Sequence, residues 1–507
     1  MGLSLMEPVK FNWFDRMVGY FSPESGLDRA RARHRIRAYA GASKGRRTEN
    51  WKATGLSAAA EVSAALPVLR DRSRELVRNN AYAARAMQAI QTNVVGKGIR
   101  PAITHPTQSI EDRIKEEWAR WAGTPACDYD GVYDYYGLQS LVIRSIAESG
   151  EVLVRKRRVR REGQLSVQLQ VLESDFLASD RIFSSVQSAR PNEGNRIIQG
   201  IEFNPKGKRV AYHLYETHPG NMGIDSGTAG TAFKIIRIPA EEIRHIYRVD
   251  RPGQLRGVPW LSPVMLRLKD FDEYEQAQLL RQKLAACYMG FIKDTEISEL
   301  DDEERALISK FEPGLIEFLP PGKDITLASP PEVSENYEDY TRVMLQAVAA
   351  GIGISYEAMT GNLKDINFSS SRMGWLEFQR NIETWRMFLM NTQLNDPAYT
   401  WFAEAAELEG LPAEQSGRTW TAPRREMIDP AKEVPALVDA VNNGMKTLSE
   451  VVRENGKNPE DHFKELAAEQ AELDRLGIKL ETKGNSQTNN VDSSKNSGKV
   501  SESNSKA

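Results

Sequence analysis

Cysteine is almost missing from this chain: two residues, Cys127 and Cys287, in 507, far apart and without CxxC spacing. A disulfide scaffold and a cysteine-based zinc site are excluded on that count, and such sparse use suits a reducing cytoplasm. Phosphate-binding loops are missing too. There is no GxxxxGK(S/T) and no GxGxxG after a strand, and Gly96-Lys97-Gly98 is a helix-end glycine pair rather than a phosphate cradle. HExxH and GxSxG are absent as well. No apolar run approaches the ~18 residues of a transmembrane helix, so no membrane partner is expected. The N-terminus lacks the charged-then-apolar order of a signal peptide, and Met6 stands where a myristoylation motif needs Ser or Thr. The expectation is a chain neither secreted nor anchored by these routes. So empty an inventory argues for a structural or binding role and for no cofactor.

What is present is a folding chain, 40% hydrophobic and 27% charged, long enough for about three domains. Its net charge of −3 hides a strong asymmetry. Arg29, Arg31, Arg33, Arg35, Arg37, Lys44, Arg46 and Arg47 form a basic N-terminal arm with no acidic residue between them. Residues 289–336 are acidic, and Glu299, Asp301, Asp302, Glu303 and Glu304 are the densest part of that segment. The run Asp301–Glu304 could hold a hard cation, but a helix N-terminus complemented by acidic side chains explains it more simply. His213, Glu216 and His218 are the closest approach to a metal-ligand spacing, yet positions 213 and 218 of an alternating strand face opposite sides. No metal site is expected.

The pattern along the chain is α+β. Residues 56–95 read as helix, ending at Val95-Gly96-Lys97-Gly98. Short helices follow near 111–122, with Trp118 and Trp121 on one face, and near 137–149. Period-two alternation then takes over: Val152/Val154, Val167/Leu169/Val171, Ile197–Phe203, Arg209–Glu216 beyond the turn Asn204-Pro205-Lys206-Gly207, Lys234–Ile238 and Ile243–Arg248. Ser262-Pro263 predicts the N-cap and first position of a long helix to about Tyr288. The acidic segment is expected to hold a helix over Asp301–Phe311 and strands at Leu315–Leu319 and Ile325–Ala328. A helix over 337–351 places Tyr337, Tyr340, Met344, Ala347 and Gly351 on one face. After 400 come a strand near Arg418–Ala422 and three short helices, marked by the capping box Thr447/Glu450 and by Asn458-Pro459. Residues 482–507 are Ser/Asn/Lys/Gly-rich and are expected to be disordered.

Residues 347–391 are the most informative. An apolar helix end breaks at Gly351 and Gly353, and a polar loop follows around Asn362, Lys364, Asp365 and Asn367. Ser369, Ser370 and Ser371 offer N-cap oxygens to the next helix. That helix carries Trp375, Phe378, Ile382, Trp385 and Leu389 at i, i+3, i+7, i+10 and i+14, a continuous apolar stripe. A long polar loop between two well-specified helices suits a loop displayed into a space, although an ordinary helix–loop–helix in a globular core has the same pattern.

Several short motifs, in order and with matching spacing, resemble the portal proteins of lambda-like tailed phages. They are Leu69-Arg70-Asp71-Arg72-Ser73-Arg74 with Arg78-Asn79-Asn80, Asn93-Val94-Val95-Gly96-Lys97-Gly98-Ile99, Ser149-Gly150-Glu151-Val152, Leu172-Glu173-Ser174-Asp175 and Ala211-Tyr212-His213-Leu214. The most specific are Arg251-Pro252-Gly253-Gln254, Arg256-Gly257-Val258-Pro259-Trp260 and Asn367-Phe368-Ser369-Ser370-Ser371-Arg372. Position 368 is Phe where the family pattern often has Tyr, which keeps the reach of the loop and removes a hydroxyl.

The resemblance implies a portal-type subunit with a β-rich wing, two stem helices, an α/β clip, a long tunnel helix and a helical crown. Mapped onto this chain, 1–50 is the basic arm, 51–261 the wing, 262–288 and 337–354 the stem helices and 289–336 the clip. The tunnel loop is 355–371, the tunnel helix and a return strand 372–429, the crown 430–481 and the tail 482–507. It further implies a dodecameric ring at one capsid vertex of the virion, assembled in the host cytoplasm, through which double-stranded DNA passes non-specifically. Expected partners are the terminase large subunit, a head-completion or adaptor protein, and the major capsid or scaffold protein. Asn362, Lys364, Asp365 and Asn367 would then face the channel, and Glu299 and Asp301–Glu304 would serve partner docking. The acidic segment could equally repel the DNA backbone, dock basic partners or be a solvated surface. Lys364 could touch phosphates weakly or be a solvent lysine. The competing class is a metal-dependent nucleic-acid-processing enzyme, distinguished by metal-dependent cleavage of DNA.

Overall fold

The computed structural model describes residues 53–159, 163–179, 194–221, 234–286, 290–294, 323–327, 337–364, 368–424, 427 and 429–478, with positions 13, 17 and 20–23 near the N-terminus. Met1–Ser57 and Ala58–Ala507 form two separate units. In the first, positions 13, 17, 20 and 21 are helical, and Trp13, Tyr20 and Phe21 are well exposed. The basic arm, the expected helix Asp301–Phe311, the strand Leu315–Leu319 and the tail 482–507 lie outside the described residues. No described helix is long and apolar enough to cross a membrane.

The second unit opens with two helices, α1 (Ala58–Asn79) and α2 (Ala81–Val94), where the sequence suggests one. Asn80 makes the break. Its Oδ1 accepts from the Tyr82 and Ala83 backbone N–H groups at 3.1 and 3.0 Å, which caps α2 and ends α1. Helices α3 (Gln108–Ala122) and α4 (Tyr135–Ser149) follow. Trp118 and Trp121 of α3 are buried and pack with Tyr135, Tyr399 and Phe402 at ring separations of 5.0–5.9 Å. Aromatic clusters of this kind bring a large apolar payload with orientation-dependent attraction. They tie residues near 120 to residues near 400.

The strands follow the alternation in the sequence closely. β1 (Arg100–Thr104) pairs with the late strand β11 (Gly417–Thr421). β2 (Glu151–Arg158) lies between β3 (Val167–Glu173) and β8 (Ile243–Tyr247) in a three-stranded antiparallel sheet. A four-stranded sheet runs β4 (Arg196–Ile198), β5 (Ile201–Phe203), β6 (Arg209–Tyr215), β7 (Ile235–Pro239). The expected single strand Ile197–Phe203 is thus a hairpin. Gln199 and Gly200, at φ 53° and 79°, make a two-residue turn of the kind that favours tight antiparallel pairing.

The helix α5 (Met265–Ala286) begins two residues later than Ser262-Pro263 suggests. Ser262 Oγ donates to the Pro259 carbonyl at 2.6 Å instead of capping. Met265, Leu268 and Phe271 anchor its first two turns in the core, whereas Leu279 and Leu280 are exposed. Beyond it, β9 (Gly290–Asp294) pairs antiparallel with β10 (Lys323–Leu327). The second of these matches the expectation at Ile325–Ala328. The first was not anticipated, because its Gly-Phe-Ile-Lys-Asp run is too short for a period to show.

Helix α6 (Tyr337–Ile352) buries Leu345, Val348, Ala349 and Ile352, not the expected face, and Tyr340 is 45% exposed. The tyrosines meet α5 instead: Tyr274 lies 4.7 Å from Tyr340 and 6.0 Å from Tyr337, ring to ring. After the short helix α7 (Tyr356–Thr360), one continuous helical run goes from Phe368 to Leu408, as α8 (Phe368–Trp385), a ten-residue π-helical segment (Arg386–Asn395) and α9 (Asp396–Leu408). Because α8 starts at Phe368, Ser369–Ser371 fall inside it rather than before it. Phe378, Ile382, Trp385 and Leu389 are buried and Trp375 packs partly against them, so the stripe is realised.

The last described stretch holds three helices, α10 (Pro430–Asn442), α11 (Leu448–Glu454) and α12 (Pro459–Leu476). The capping box forms, with Glu450 N–H to Thr447 Oγ1 at 3.1 Å and Thr447 N–H to Glu450 Oε2 at 2.8 Å.

A docked loop and the buried-acid latch behind it

The loop region is built from α6, α7 and the start of α8. Gly353, at φ +87°, turns the chain out of α6. Its carbonyl accepts from Asn381 Nδ2 of α8 at 2.9 Å. Ser355 Oγ caps α7 by accepting from Ala358 N–H at 3.2 Å. The polar residues that follow are held rather than free. Asn362 N–H donates to Thr360 Oγ1 at 3.2 Å, and Asn362 Oδ1 accepts from Lys364 N–H at 2.9 Å. Lys364 Nζ reaches back along α6 to both carboxylate oxygens of Glu338, at 3.0 and 3.2 Å. The lysine holds the Glu338 carboxyl below its usual range, with a smaller contribution from Arg342. Leu363 between them is 72% exposed.

Of the four residues expected in the displayed loop, Asn362 and Lys364 therefore lie in a docked stretch, and Asp365 and Asn367 lie outside the described residues. So do Glu299, Asp301, Asp302, Glu303 and Glu304. Sequence reasoning missed Glu338, Asn381 and Tyr356. All three are ordinary helix residues until their partners, up to 28 positions away, are known.

Two tryptophans join the loop's scaffold to the sheets. Trp260 is buried against Trp385 with ring centroids 4.6 Å apart. The segment leading to Trp260 is pinned by a buried acid. Glu151, at the start of β2, accepts from Arg256 Nε and Nη2 at 2.9 and 2.6 Å, from Gly257 N–H at 2.8 Å and from His245 Nε2 at 2.8 Å. Burial alone would push the Glu151 pKa up. The Arg256 charge and the His245 and Arg256 hydrogen bonds outweigh it and hold the carboxyl well below its ordinary value. Burial lowers the His245 pKa despite Glu151, so the imidazole stays neutral. Gly150 and Gly257 cross here so closely that a Cβ on Gly257 would run into the Gly150 carbonyl. Two of the motifs, Ser149-Gly150-Glu151 and Arg256-Gly257-Val258-Pro259-Trp260, are thus the two halves of one latch.

The π segment adds two further ties. Arg386 donates to the last carbonyls of α2, Val94 at 2.8 Å and Asn93 at 2.7 Å. Burial lowers its pKa to about 10. Asn395 is fully buried and accepts from Tyr135 Oη and Gln139 Nε2 at 2.8 and 2.9 Å. Gln139 in turn satisfies both backbone groups of Ile99.

The two histidines are separated, though not as two faces of one strand, because β6 ends at Tyr215 and His218 lies beyond it. His213 is buried against Glu202 at 2.9 Å, and Arg237 holds the same carboxylate at 2.7 Å. Burial raises the Glu202 pKa, but these hydrogen bonds bring it down to about 2. His218 lies instead with Glu173 and Asp175, close enough for the three to reach one ion. That space is taken: Arg74 Nη2 sits 3.1 Å from Glu173 and 2.7 Å from Asp175, and Arg70 3.3 Å from Asp175. A guanidinium between two carboxylates does the neutralising work of a cation, so the cluster is an ion-pair network.

A cavity of about 370 Å³ opens under the loop between α6 and α8, lined by Ala349, Gly353, Tyr356, Glu377, Phe378 and Asn381 among others. Ser355 and Glu357 line it as well, and the Ser355 hydroxyl is engaged there as the cap of α7.

Residues 44–386 match the model of a family described as phage portal protein, lambda family. Among curated relatives, a probable portal protein of Halomonas phage phiHAP-1 is 26% identical over 438 residues, covering 81% of each chain. Portal protein B of Escherichia phage lambda is 22% identical over 471 residues, covering 80% of this chain and 84% of the relative. Among solved structures, a chain from the neck of a native GTA particle computed with C12 symmetry aligns over 76% of this chain and 94% of its own at 14% identity and a TM-score of 0.44. The relatives are named for portals and not for a catalytic activity, which leaves the nuclease-type alternative without support.

Proposed function

The chain belongs to the lambda family of phage portal proteins, and from that premise we propose how its parts serve a DNA channel at a phage head vertex. Its role is that of a portal and not of an enzyme. The observation that carries this is the family match over residues 44–386, which spans the latch, α5, α6 and the loop in one stretch.

In this reading the subunits close into a dodecameric ring at the capsid vertex of the virion, after assembly in the host cytoplasm. The β-rich body is the wing, α5 and α6 are the stem, the acidic segment with the β9–β10 pair is the clip, and α10–α12 form the crown. Double-stranded DNA of any sequence passes through the ring. The terminase large subunit docks during packaging and an adaptor protein afterwards, with Glu299 and Asp301–Glu304 as the docking surface. The major capsid or scaffold protein holds the rim.

A channel that passes any sequence must not grip it, because each strong phosphate contact adds affinity and salt dependence. The Lys364–Glu338 pair supports a weak-contact loop, since a lysine already paired offers a phosphate only part of its charge. Negative-stain imaging of the purified protein tests the reading. Rings with a central hole support it, and a compact monomer at every salt concentration overturns it.

A further inference from the structure

The C-terminal helix α12 is nearly bare. Pro459 is its only buried residue, while Phe463, Leu466 and Leu476 are 37%, 51% and 58% exposed, and Ile478 just beyond is 48% exposed. Glu465, Glu469 and Glu472 recur at i, i+4 and i+7, so an acidic stripe runs beside the apolar one, with exposed pairs from Lys457 to Glu465 at 3.3 Å and from Arg475 to Glu472 along it. The base of the helix is fastened to this subunit: Lys115 of α3 lies 3.6 Å from Glu460 and 3.8 Å from Asp461.

A second surface has the opposite character. Arg155, Lys156, Arg157 and Arg158 are four basic residues in a row, of which Lys156 turns inward to an ion pair with Glu404. Arg155 and Arg157 alternate onto one face of β2. Arg157 stacks over the Tyr129 ring at 4.5 Å and donates to its hydroxyl at 3.0 Å. Tyr129, Val132 and Tyr133 beside it are 37%, 65% and 48% exposed. The Arg155 Nε is buried and finds no hydrogen-bond partner among the described residues, with Glu242 near enough to act only through its charge. Asp130 at the rim does not offset this excess of basic charge. Tyrosine and arginine together are the composition of protein-binding hot spots.

We propose that these two surfaces meet between copies: the acidic, apolar-striped α12 of one subunit docks on the Tyr129–Tyr133 and Arg155–Arg157 patch of the next. This rests on the ring reading. A closed ring needs a heterologous contact, in which two different patches of the same chain complement each other. Charge and apolar character are complementary here, and the helix is fastened to its own subunit only at its base.

The test is a charge swap in the full-length protein, read by sedimentation at increasing salt. Glu469→Arg with Glu472→Arg, or Arg155→Glu with Arg157→Glu, lowers the ring fraction about tenfold or more, the scale of close interfacial charge pairs. Combining both sets restores it. Arg157→Glu alone serves if the double patch variant does not fold, as judged by circular dichroism. Rings that withstand each single set, or that the combined set fails to restore, overturn the proposal while leaving the ring reading intact. Wild type that never forms rings removes the ring reading itself. Intact rings of the patch variant that lose binding to random double-stranded DNA assign the patch to nucleic acid instead, which also overturns it.

Discussion

The body around Trp118 and the three C-terminal helices are built from similar amounts of helix, yet they differ in what they bury. Around Trp118 five aromatic rings interlock, Glu151 and Asn395 are fully enclosed with every major hydrogen bond met, and strands from distant parts of the chain close on one another. Among α10–α12, Pro459 and Val452 are the buried residues of the helices, and the apolar residues Val434, Val438, Leu448 and Leu466 stay open to solvent. The first region can hold itself together. The second has caps, dipole-matched ends and an apolar stripe but no core of its own, which is the signature of an element completed by a neighbour.

That contrast can be broken or sharpened, beginning with the largest effects. Glu151→Ala leaves the Arg256 guanidinium buried without its counter-charge and is expected to cost about 3–5 kcal/mol, read as a lower urea midpoint in the monomer. An unchanged midpoint would show that the latch is not part of the stable body. Trp385→Ala opens a cavity against Trp260 and Phe378 and should cost a similar ~3–5 kcal/mol, seen in thermal melts before any effect on DNA handling.

Acid is the next lever. Glu151 and His245 both have folded pKa values below their ordinary 4.5 and 6.5, so the unfolded chain binds more protons at acid pH and stability rises with pH. The His245 contribution is fully present above 6.5 and is lost as the pH falls below it. The Glu151 contribution is lost further down, below 4.5. The denaturant midpoint should therefore drop as the pH falls below 6.5 and again below 4.5, and Glu151→Gln should remove the second drop. A wild-type midpoint that does not move over this range contradicts the assignment.

In α12, Leu466→Ser should leave the monomer's melt within about 0.5 kcal/mol of wild type, as for surface changes generally, while weakening assembly. A large loss in the monomer would mean that the helix has a partner within its own subunit. Smallest of all is Lys364→Ala. Ring formation and melting should be unchanged, because an exposed ion pair is weak and salt-screened. Only packaging or retention of DNA by pre-formed rings should respond, and less than to shortening 361–368.

The same contrast explains what could be read in the sequence. Local periodicity located the strands of β2, β3, β6, β7 and β8 and the stripe of α8, because alternation and 3.6-residue spacing are properties of neighbours along the chain. Glu151, Arg256 and Asn395 gave no such signal: their partners are more than a hundred residues away, and burial of a charge contradicts its usual place. The motifs around Gly150 and Gly257 marked both halves of the latch without revealing that they touch. The face of α6 was misread for a related reason. Tyr337 and Tyr340 look like core residues by hydropathy, but they pack on Tyr274 of another half-exposed helix, and small residues such as Ala349 fill the interior instead.

The π segment has a consequence for how this chain can vary in length. A residue advances an α-helix by about 100°, and the wider turns between Arg386 and Asn395 reset that phase between the stripe ending at Leu389 and the one holding Tyr399 and Phe402. Reversion of these residues to regular turns at the same count would swing Tyr399 and Phe402 away from Trp118 and carry β11 out of register with β1. Substitutions at exposed Met387 or Phe388 change only a surface. The width of the turns and the number of residues in them set the downstream phase together, so this stretch is tolerant in composition while its length and its turn type can change only in step.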